Sequence, residues 1–383
     1  MRIAIAQLDY TIGAFEANLE AMTVAVERAR RETADLVIFT ELATTGYPPG
    51  DLLERRDFVD RNLAQLDLIA HLSDDDLGIL VGFVDRNESG TGKGLHNAVA
   101  LCHMGKVVDR YRKCLLPSYD VFDEARYFES GADARPLRFK GVRIGVSVCE
   151  DVWADPDLDG HSLYHRDPVL ELIHRGSQIL INLSASPFEL GKAGERRELV
   201  RRYAENSGRF FVYANQVGAN DELVFDGHSM VFDGKGRVDA RARDFEEDLL
   251  VYDVPENALE DVKGLEGPIG EIREVAGSTE DEALAALELG LRDYVAKCGF
   301  ENVLLGLSGG IDSALTAAIA ARALGPDKVL GVAMPTRYSS EGSVTDAEAL
   351  AANLGIEFRT VPIDDIFQSY LERLAPVFDG LEE

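Results

Sequence analysis

Apolar residues in the first two thirds of the chain form short runs that alternate with amphipathic stretches. Runs rich in Val and Ile predict strands at 2–8, 35–41, 77–84, 144–148, 178–183 and 210–216. Apolar residues at helical spacing predict helices at 18–32, 52–72, 168–175 and 195–207. Short strand pairs around turn residues predict hairpins at 96–102 with 106–111 and at 229–233 with 236–239. Helices between strands, followed by hairpins, favour a layered α/β sandwich over a barrel.

A polar stretch with Gly and Pro, about 255–277, interrupts this pattern and predicts a linker or an arm that wraps another subunit. Beyond it the pattern predicts, in order, a helix at 279–297, a strand at 303–307, a helix at 312–324, a strand at 329–334 and a helix at 345–354. This βαβ order predicts a parallel sheet with a ligand at the carboxyl ends of its strands. The predicted domains are 1–260 and 278–383, joined by a linker at 261–277.

Composition narrows the classes of function. The 383 residues are 46% hydrophobic and 28% charged, and no run reaches the roughly 18 apolar residues of a membrane span. The net charge of −29 argues against a general nucleic-acid binder, which needs a basic face. Four irregularly spaced cysteines suggest neither a disulfide framework nor a zinc site. With no signal-peptide pattern at the start, we expect a cytoplasmic protein.

Three chemically active side chains stand at or just beyond the ends of apolar segments: Glu41, Lys113 and Cys149. Strand ends of one sheet can converge, and these groups suit acyl transfer. A carboxylate can deprotonate a thiol, and a nearby cation can stabilise the oxyanion formed when the thiolate attacks a carbonyl. Residue types alone do not exclude the alternative of a core cysteine and an exposed Glu–Lys ion pair.

The sequence motifs around these residues are more specific than the residue types alone. They are Glu41-Leu42 with 46–49 (GYPP), 113–128 (KCLLPSYDVFDEARYF) and 149–153 (CEDVW). Together they resemble the nitrilase (carbon–nitrogen hydrolase) superfamily and, within it, the glutaminase domain of glutamine-dependent NAD synthetases. The resemblance spans about 1–260 and implies an α-β-β-α sandwich. It implies Glu41 as general base, Lys113 as oxyanion stabiliser and Cys149 as the nucleophile that forms a glutamyl thioester.

The same resemblance implies the residues that bind L-glutamine. Tyr119 matches a tyrosine that contacts the substrate, and Ser186 and Lys192 match the remaining glutamine contacts. Glu150, beside the nucleophile, would hold the substrate amine or the attacking water. Trp153 is expected to pack rather than to take part in catalysis.

A second candidate site follows the strand at 303–307. A Gly-rich turn leads into a helix there, and backbone N–H groups in such a turn form an anion site. The turn is neither a Walker A loop nor a dinucleotide fingerprint, because it lacks the Gly-Lys-Ser/Thr word and the required glycine spacing. Asp312 at the helix start is suited to capping the helix or to holding Mg²⁺ on the phosphates.

The word Ser308-Gly309-Gly310-x-Asp312-Ser313 resembles the ATP-pyrophosphatase (PP-loop) family, and with 334–340 (MPTRYSS) it is similar to the synthetase domain of NAD synthetases. The resemblance implies a Rossmann-like parallel sheet, ATP and Mg²⁺, the latter at Asp312. It implies adenylation of deamido-NAD, after which ammonia displaces AMP. The implied ATP-binding residues are Gly306, Leu307, Ser308, Gly309, Gly310, Ile311, Asp312 and Ser313.

The resemblance of this second domain covers 276–383 and implies a sheet that is incomplete. We therefore expect this chain to bind ATP weakly and to make no NAD by itself. The favoured function is a glutamine-dependent amidotransferase that forms a homo-oligomer and binds no nucleic acid and no membrane. Two alternatives stay open: a free-standing amidase or nitrilase with a vestigial nucleotide-binding segment, and a catalytically idle nucleotide-binding or assembly subunit.

Overall fold

The computed structural model describes residues 1–154, 164–260 and 262–379, and it divides the chain into two compact units, Met1–Ala286 and Leu287–Glu383. Strands of the first unit are β1 (Arg2–Gln7), β2 (Leu36–Ile38), β3 (Gly78–Arg86), β4 (Leu95–His103), β5 (Lys106–Arg112), β6 (Leu137–Phe139), β7 (Val142–Val148), β8 (Ile179–Ser184), β9 (Phe210–Asn215), β10 (Val217–Asn220), β11 (Leu223–Asp226), β12 (Met230–Phe232), β13 (Val238–Arg241) and β14 (Asp248–Asp253). Its α-helices are α1 (Phe15–Arg31), α2 (Arg56–His71), α3 (Glu124–Tyr127), α4 (Pro168–His174), α5 (Lys192–Ser207) and α6 (Glu256–Leu259). Helix α7 (Thr279–Lys297) begins in this unit.

Two six-stranded sheets form the centre of the first unit. Their strand orders are β14-β1-β2-β3-β4-β5 and β13-β12-β9-β8-β7-β6, and β10 pairs separately with β11. The pairs β1–β2, β2–β3, β7–β8 and β8–β9 are parallel, and the other pairs in these sheets are antiparallel. Glu41 and Cys149 follow β2 and β7, which have parallel partners, whereas Lys113 follows the antiparallel strand β5.

Alternating side chains of the first sheet enter two different hydrophobic cores. In β1, Ile3 and Ile5 face the core shared with the second sheet, whereas Ala4 and Ala6 pack in the core that contains Met22 of α1. Successive strand residues point to opposite faces, so a strand buried on both sides reads as one apolar run. Helices α4 and α5 pack on β7 and β9 of the second sheet. The predicted α-β-β-α sandwich is confirmed.

Several predicted elements have different limits in the structure. The helix predicted at 52–72 is a 3₁₀ turn (Gly50–Glu54) and then α2, because Arg55 is extended with a ψ of 117°. The strand predicted at 35–41 ends at Ile38, so Glu41 lies in the turn that follows. Strands β6, β10, β11 and β14 were not predicted, since they are short or mostly stabilised by partners far away in sequence.

The segment predicted as a linker or arm contacts the first unit along β13. The Leu265 carbonyl accepts a hydrogen bond from Gly234 N–H, and the Glu271 carbonyl accepts one from Arg241 N–H. Ser278 then caps α7 by accepting a hydrogen bond from Asp281 N–H at 3.1 Å. The predicted domain boundaries stay predictions, and residues 261 and 380–383 lie outside the described residues.

The second unit contains a parallel sheet in the order β15 (Val303–Gly306), β16 (Val329–Ala333) and β17 (Glu357–Thr360). Helices α8 (Ile311–Leu324) and α9 (Glu341–Leu354) pack a small core against it, and α10 (Asp364–Leu374) follows. The predicted βαβ order is confirmed, although β17 and α10 were not predicted. Leu304 of β15 is 72% exposed, so one face of this sheet is open within the described residues. None of the described helices combines the length and the apolar character that a membrane span requires.

Candidate active site

The turn after β2 places the Glu41 carboxylate inside the sandwich. Gly82 of β3 makes room for this turn, because an added Cβ there would lie 2.4 Å from both Thr40 O and Leu42 N. The Glu41 side chain is fully buried, and its Oε2 accepts a hydrogen bond from Ala185 N–H at 2.9 Å. Its Oε1 accepts from Asn97 Nδ2 at 2.7 Å and from Lys113 Nζ at 2.8 Å. Three donors therefore fix the orientation of this carboxylate.

Lys113, immediately after β5, is buried between two carboxylates. Its Nζ donates to Glu41 Oε1 at 2.8 Å and to both oxygens of Glu124, at 2.8 and 2.9 Å. Burial by itself would lower the pKa of Lys113, but the charges of Glu124 and Glu41 outweigh it and raise that pKa well above the usual value. Both carboxylates therefore favour the charged form of this buried lysine.

Glu124 is a member of the site that the sequence analysis missed. Besides Lys113, its carboxylate accepts hydrogen bonds from Tyr47 Oη at 2.9 Å and Asn97 Nδ2 at 3.2 Å. Burial raises the pKa of Glu124 to about 7, and Lys113 opposes that rise. Glu124 lies within the quoted word at 113–128, but only the fold shows that this carboxylate, and not its neighbour Asp123, turns inward.

Cys149 follows β7 and begins the 3₁₀ turn Cys149–Val152. Its φ of +38° is unusual for a residue with a side chain, and such strain often occurs at functional positions. Burial raises the pKa of the thiol well above its usual value, the Glu41 charge adds to that rise, and the Lys113 charge opposes it. The thiol thus lies within electrostatic reach of both predicted partners and needs a base to become a thiolate. The structure brings the three predicted catalytic residues together.

Two predicted glutamine contacts, Tyr119 and Glu150, touch each other. Tyr119 Oη donates to Glu150 Oε1 at 2.8 Å, and Tyr164 Oη donates to the same oxygen at 2.8 Å. Glu150 is buried directly after Cys149, whereas Tyr119 is partly exposed. The sequence analysis missed Tyr164, because no sequence motif around it distinguishes it from other aromatic residues.

Ser186 and Lys192 make other contacts. Ser186 is buried, and its N–H donates to Asn215 Oδ1 at 2.8 Å. Lys192 opens α5, with Nζ 3.8 Å from Glu189 Oε2 and 5.9 Å from the centre of the Trp153 ring. Trp153 itself packs against the main core, as expected. Among the described residues, neither Ser186 nor Lys192 hydrogen-bonds to Tyr119 or Glu150.

The predicted phosphate loop joins β15 to α8. Ser308 N–H donates to Ser313 Oγ at 3.3 Å, and Gly310 N–H donates to Ser308 Oγ at 3.3 Å. Gly309 has a φ of +79°, and a Cβ there would lie 2.4 Å from Ser343 O, so only glycine fits without a shift. The two serines and the glycine set the shape of the loop.

A cavity of about 430 Å³ lies beside this loop at the carboxyl ends of β15 and β16. Of the eight predicted ATP-binding residues, Gly306, Leu307 and Ser308 line the cavity. The other five, residues 309–313, form the turn and the start of α8 next to Ser308. Within the described part of the chain, the exposed Asp312 carboxylate has no hydrogen bond or ion pair, so it is available to a cation.

Family models match both parts of the chain. The carbon-nitrogen hydrolase model matches residues 2–263, and the NAD synthase model matches residues 283–381. The first match includes Glu41, Lys113 and Cys149, and the second includes the loop at 306–313.

Individual relatives match across both parts. The chain is 42% identical over 381 residues to the glutamine-dependent NAD(+) synthetase of Synechocystis sp., covering 98% of this chain and 67% of that protein. It superimposes on the glutamine-dependent NAD+ synthetase of Acinetobacter baumannii in complex with ADP, with a TM-score of 0.88 and 34% identity, covering 100% of this chain and 68% of that one.

A third relative covers the first part alone. An amidase from Nesterenkonia sp., with acrylamide added at its active-site cysteine, has a TM-score of 0.56 and 26% identity, covering 68% of this chain and 96% of the amidase. Since the chain carries both matched domains, the expectation that it is too incomplete to make NAD is not borne out. That expectation gave too much weight to the open sheet of the second unit.

Proposed function

This chain belongs to the glutamine-dependent NAD(+) synthetase family, and from that premise we propose how its own residues carry out the reaction. Glutamine is hydrolysed in the first unit, and the ammonia amidates deamido-NAD in the second at the expense of ATP, which becomes AMP and pyrophosphate. The observation that carries the glutaminase proposal is the buried Lys113 ammonium, held at 2.8 Å by Glu41 and by Glu124. Burying such charges is costly, and catalytic sites are where that cost is commonly met.

The proposed reaction begins with the transfer of the Cys149 thiol proton to Glu41. The thiolate attacks the side-chain amide carbon of glutamine and forms an Sγ–C bond, while the carbonyl electrons move to oxygen. Lys113 stabilises that oxyanion through its fixed positive charge. The carbonyl then re-forms as the C–N bond breaks, and the leaving nitrogen takes the proton from Glu41. Ammonia is released, and the glutamyl group remains on Cys149 as a thioester.

Water completes the cycle on the same residues. Glu41 accepts a proton from the water that attacks the thioester carbon, and the oxyanion is again stabilised by Lys113. The C–S bond breaks, the proton returns to Cys149, and glutamate is released. Glu124 and Asn97 hold Lys113 and Glu41 throughout, so neither has to reorganise between the two half-reactions.

Charged groups around the thiol suit the two ends of glutamine. Glu150, oriented by Tyr119 and Tyr164, is suited to the substrate α-ammonium group. Lys192 supplies a cation for the α-carboxylate, and Ser186 supplies a small polar side chain. These assignments are proposals that rest on residue chemistry and on the resemblance of the surrounding sequence motifs.

In the second unit the loop 308–313 is proposed to hold the phosphates of ATP, which NAD synthetases use as a co-substrate. Backbone N–H groups and the start of the 14-residue helix α8 favour an anion there. The unpartnered Asp312 carboxylate fits one ligand of Mg²⁺, an ion that proteins often hold by one or two carboxylates plus phosphate oxygens. Bound Mg²⁺ would neutralise charge on the pyrophosphate that leaves.

The alternative of a free-standing amidase is not favoured. Its support would be the similarity to the Nesterenkonia amidase, but that similarity covers 68% of this chain, and the NAD synthase model matches residues 283–381. Association into a homo-oligomer and a cytoplasmic location stay predictions.

The proposal is tested with the purified chain, deamido-NAD, ATP and Mg²⁺, supplied with either glutamine or ammonium chloride. NAD should form from both nitrogen donors. Asp312→Asn should suppress NAD formation with both donors and spare glutamine hydrolysis, because its carboxylate acts only on the nucleotide. Absence of NAD with either donor in the unmodified chain would contradict the synthetase half of the proposal, and absence of glutamine hydrolysis would contradict the other half.

A further inference from the structure

Two chain segments of the glutaminase site, 111–115 and 148–151, meet at one buried side chain, Asp151. It is the third residue of the 3₁₀ turn that Cys149 begins, and its side chain is fully buried. The mechanism proposed above does not use it. Nevertheless, both of its oxygens are occupied by donors from the segments that carry Lys113 and Cys149.

Asp151 accepts four hydrogen bonds. Its Oδ1 accepts from the N–H groups of Cys114 at 3.0 Å and Leu115 at 2.9 Å, the two residues after Lys113. Its Oδ2 accepts from Val148 N–H at 3.0 Å, directly before Cys149, and from Tyr111 Oη at 2.8 Å. One carboxylate thus bonds to the backbone on the carboxyl side of the lysine and on the amino side of the cysteine.

This arrangement addresses a problem of the site. Lys113 and Cys149 lie at the ends of strands in different sheets, β5 and β7, so no strand pairing sets the distance between them. The Cys149 backbone is also held at a positive φ, which needs support from its surroundings. The Asp151 carboxylate accepts hydrogen bonds from the backbone after Lys113 and from the backbone before Cys149, so it supplies that support beside the strained residue.

We propose that Asp151 is a positioning residue that fixes the Cys149 turn against the segment carrying Lys113, and so keeps the thiolate within reach of the ammonium. The proposal rests on the glutaminase mechanism given above. Burial raises the pKa of Asp151 to about 6, with the Val148 and Leu115 N–H groups opposing the rise. The group is therefore ionised at pH 8, where it can accept all four hydrogen bonds.

Asp151→Asn is the sharpest test, because it keeps the shape but replaces an acceptor oxygen by an NH₂ group. An amide cannot accept from all three backbone N–H groups, so one segment is released. We expect kcat for glutamine hydrolysis to fall about 100-fold, since small misplacements of catalytic groups cost that much. KM for glutamine should change by less than about threefold, because the donors to the Asp151 carboxylate are not side chains proposed to bind glutamine.

A second readout does not depend on substrate. Iodoacetamide alkylates thiolates, so the pH profile of Cys149 alkylation reports how well Lys113 stabilises the thiolate. Peptide mass spectrometry in a Cys298→Ser background removes the signal of the exposed cysteine. In Asp151→Asn the midpoint should move upward by about one pH unit, because the cation is no longer held against the sulfur.

Asp233→Asn provides the matched structural control. Asp233 is fully buried and its Oδ1 accepts from Lys235 and Arg237 N–H groups, both at 2.9 Å, in the turn between β12 and β13. This variant should lower Tm but leave kcat and the alkylation profile unchanged.

Tyr111→Phe decides the matter if Asp151→Asn does not fold, because it deletes one donor and leaves the carboxylate and its three backbone bonds in place. It should lower kcat about threefold to tenfold and move the alkylation midpoint in the same direction. A folded Asp151→Asn variant with kcat within threefold of the original and an unshifted alkylation profile would overturn the proposal. So would an unchanged Tyr111→Phe variant where Asp151→Asn fails to fold. If the unmodified chain did not hydrolyse glutamine, the function would be wrong, and the alkylation profiles would still test the placement.

Discussion

The two units of the chain assemble their chemistry in opposite ways. In the first unit, charged side chains from distant parts of the sequence meet in a sealed interior, where Glu41, Lys113 and Glu124 are bonded at 2.8 to 2.9 Å. In the second unit, the phosphate loop is local and exposed: Ile311 is 80% exposed, and the serines of the loop bond to one another within six residues.

The difference follows from the chemistry that each unit performs. Acyl transfer needs a base, a cation and a thiolate in fixed positions without water, so charges must be buried and mutually satisfied. Phosphate binding needs N–H groups of the backbone and a helix start, which a short loop supplies by itself. We therefore expect substitutions in the first site to act through a network, and those in the second to act through local backbone shape.

The largest effect is expected for Cys149→Ala. Glutamine hydrolysis should fall at least about 10⁴-fold, because no other group in the site can replace the thiolate. NAD formation from ammonium chloride should persist, since the second unit does not use the thiol. Cys298→Ser, which alters the exposed cysteine, is the control and should retain both activities. If Cys149→Ala hydrolysed glutamine at more than a trace, Cys149 would not be the nucleophile of the first unit.

The network in the first unit is tested by Glu41→Gln, Lys113→Ala and their double variant. Each single change should lower glutamine hydrolysis about 10³-fold, and the double variant should be little worse, because the residues act as one unit. Lys113→Ala should also cost about 3–5 kcal/mol of stability, since it leaves buried carboxylates unpaired. Arg201→Ala, which breaks exposed ion pairs with Glu198 and Glu205, should change neither quantity appreciably. Additive losses in the double variant would count against a shared network.

Local backbone shape in the second unit is tested by Gly309→Ala. The new Cβ would clash with Ser343 O at a positive φ, so NAD formation from either donor should fall about 100-fold while glutamine hydrolysis is spared. Gly299→Ala is the matched control, because its φ of +75° is similar and no atom lies within 4 Å of the added Cβ. Equal losses of NAD formation in the two variants would show that the cost of a positive φ for alanine, and not the close approach to Ser343, lowers the activity.

The smallest expected effect concerns Glu124. Its pKa of about 7 means that it gains a proton as the pH falls through 7, which turns an acceptor oxygen that holds Lys113 into a donor. Glutamine hydrolysis should therefore decline on the acid side of about pH 7. Glu124→Gln should lower kcat about tenfold and move that acid limb to lower pH, because the titrating group is gone. An acid limb that stays in place would assign it to another group.

The sequence predicts an element of the fold best when the pattern of apolar residues within that element is enough to define it. The strand at 144–148 and the helix at 279–297 are evident from their patterns, since each is defined by its own residues. Strand β14 was missed, because Asp248–Asp253 is held by antiparallel pairing with β1, about 250 residues earlier. The break at Arg55 was missed because the apolar spacing continues across it.

The site divides in the same way. Cys149 and the phosphate loop lie in recognisable sequence motifs, and the resemblance to a known family assigns Glu41 and Lys113 as the partners of Cys149. Glu124 and Asp151 do not stand out, because a buried acid is distinguished from an exposed one only by donors that the fold supplies. Tyr47 Oη reaches Glu124 from 77 residues away, and Leu115 N–H reaches Asp151 from 36.

The central claim is that glutamine nitrogen released at Cys149 becomes the amide nitrogen of NAD made in the second unit. The direct measurement supplies the purified chain with deamido-NAD, ATP, Mg²⁺ and glutamine labelled with nitrogen-15 at its side-chain amide. Mass spectrometry of the product should show NAD carrying the label, and Cys149→Ala should yield labelled NAD at no more than a trace. Unlabelled NAD, or labelled NAD in undiminished amount from Cys149→Ala, would contradict the account.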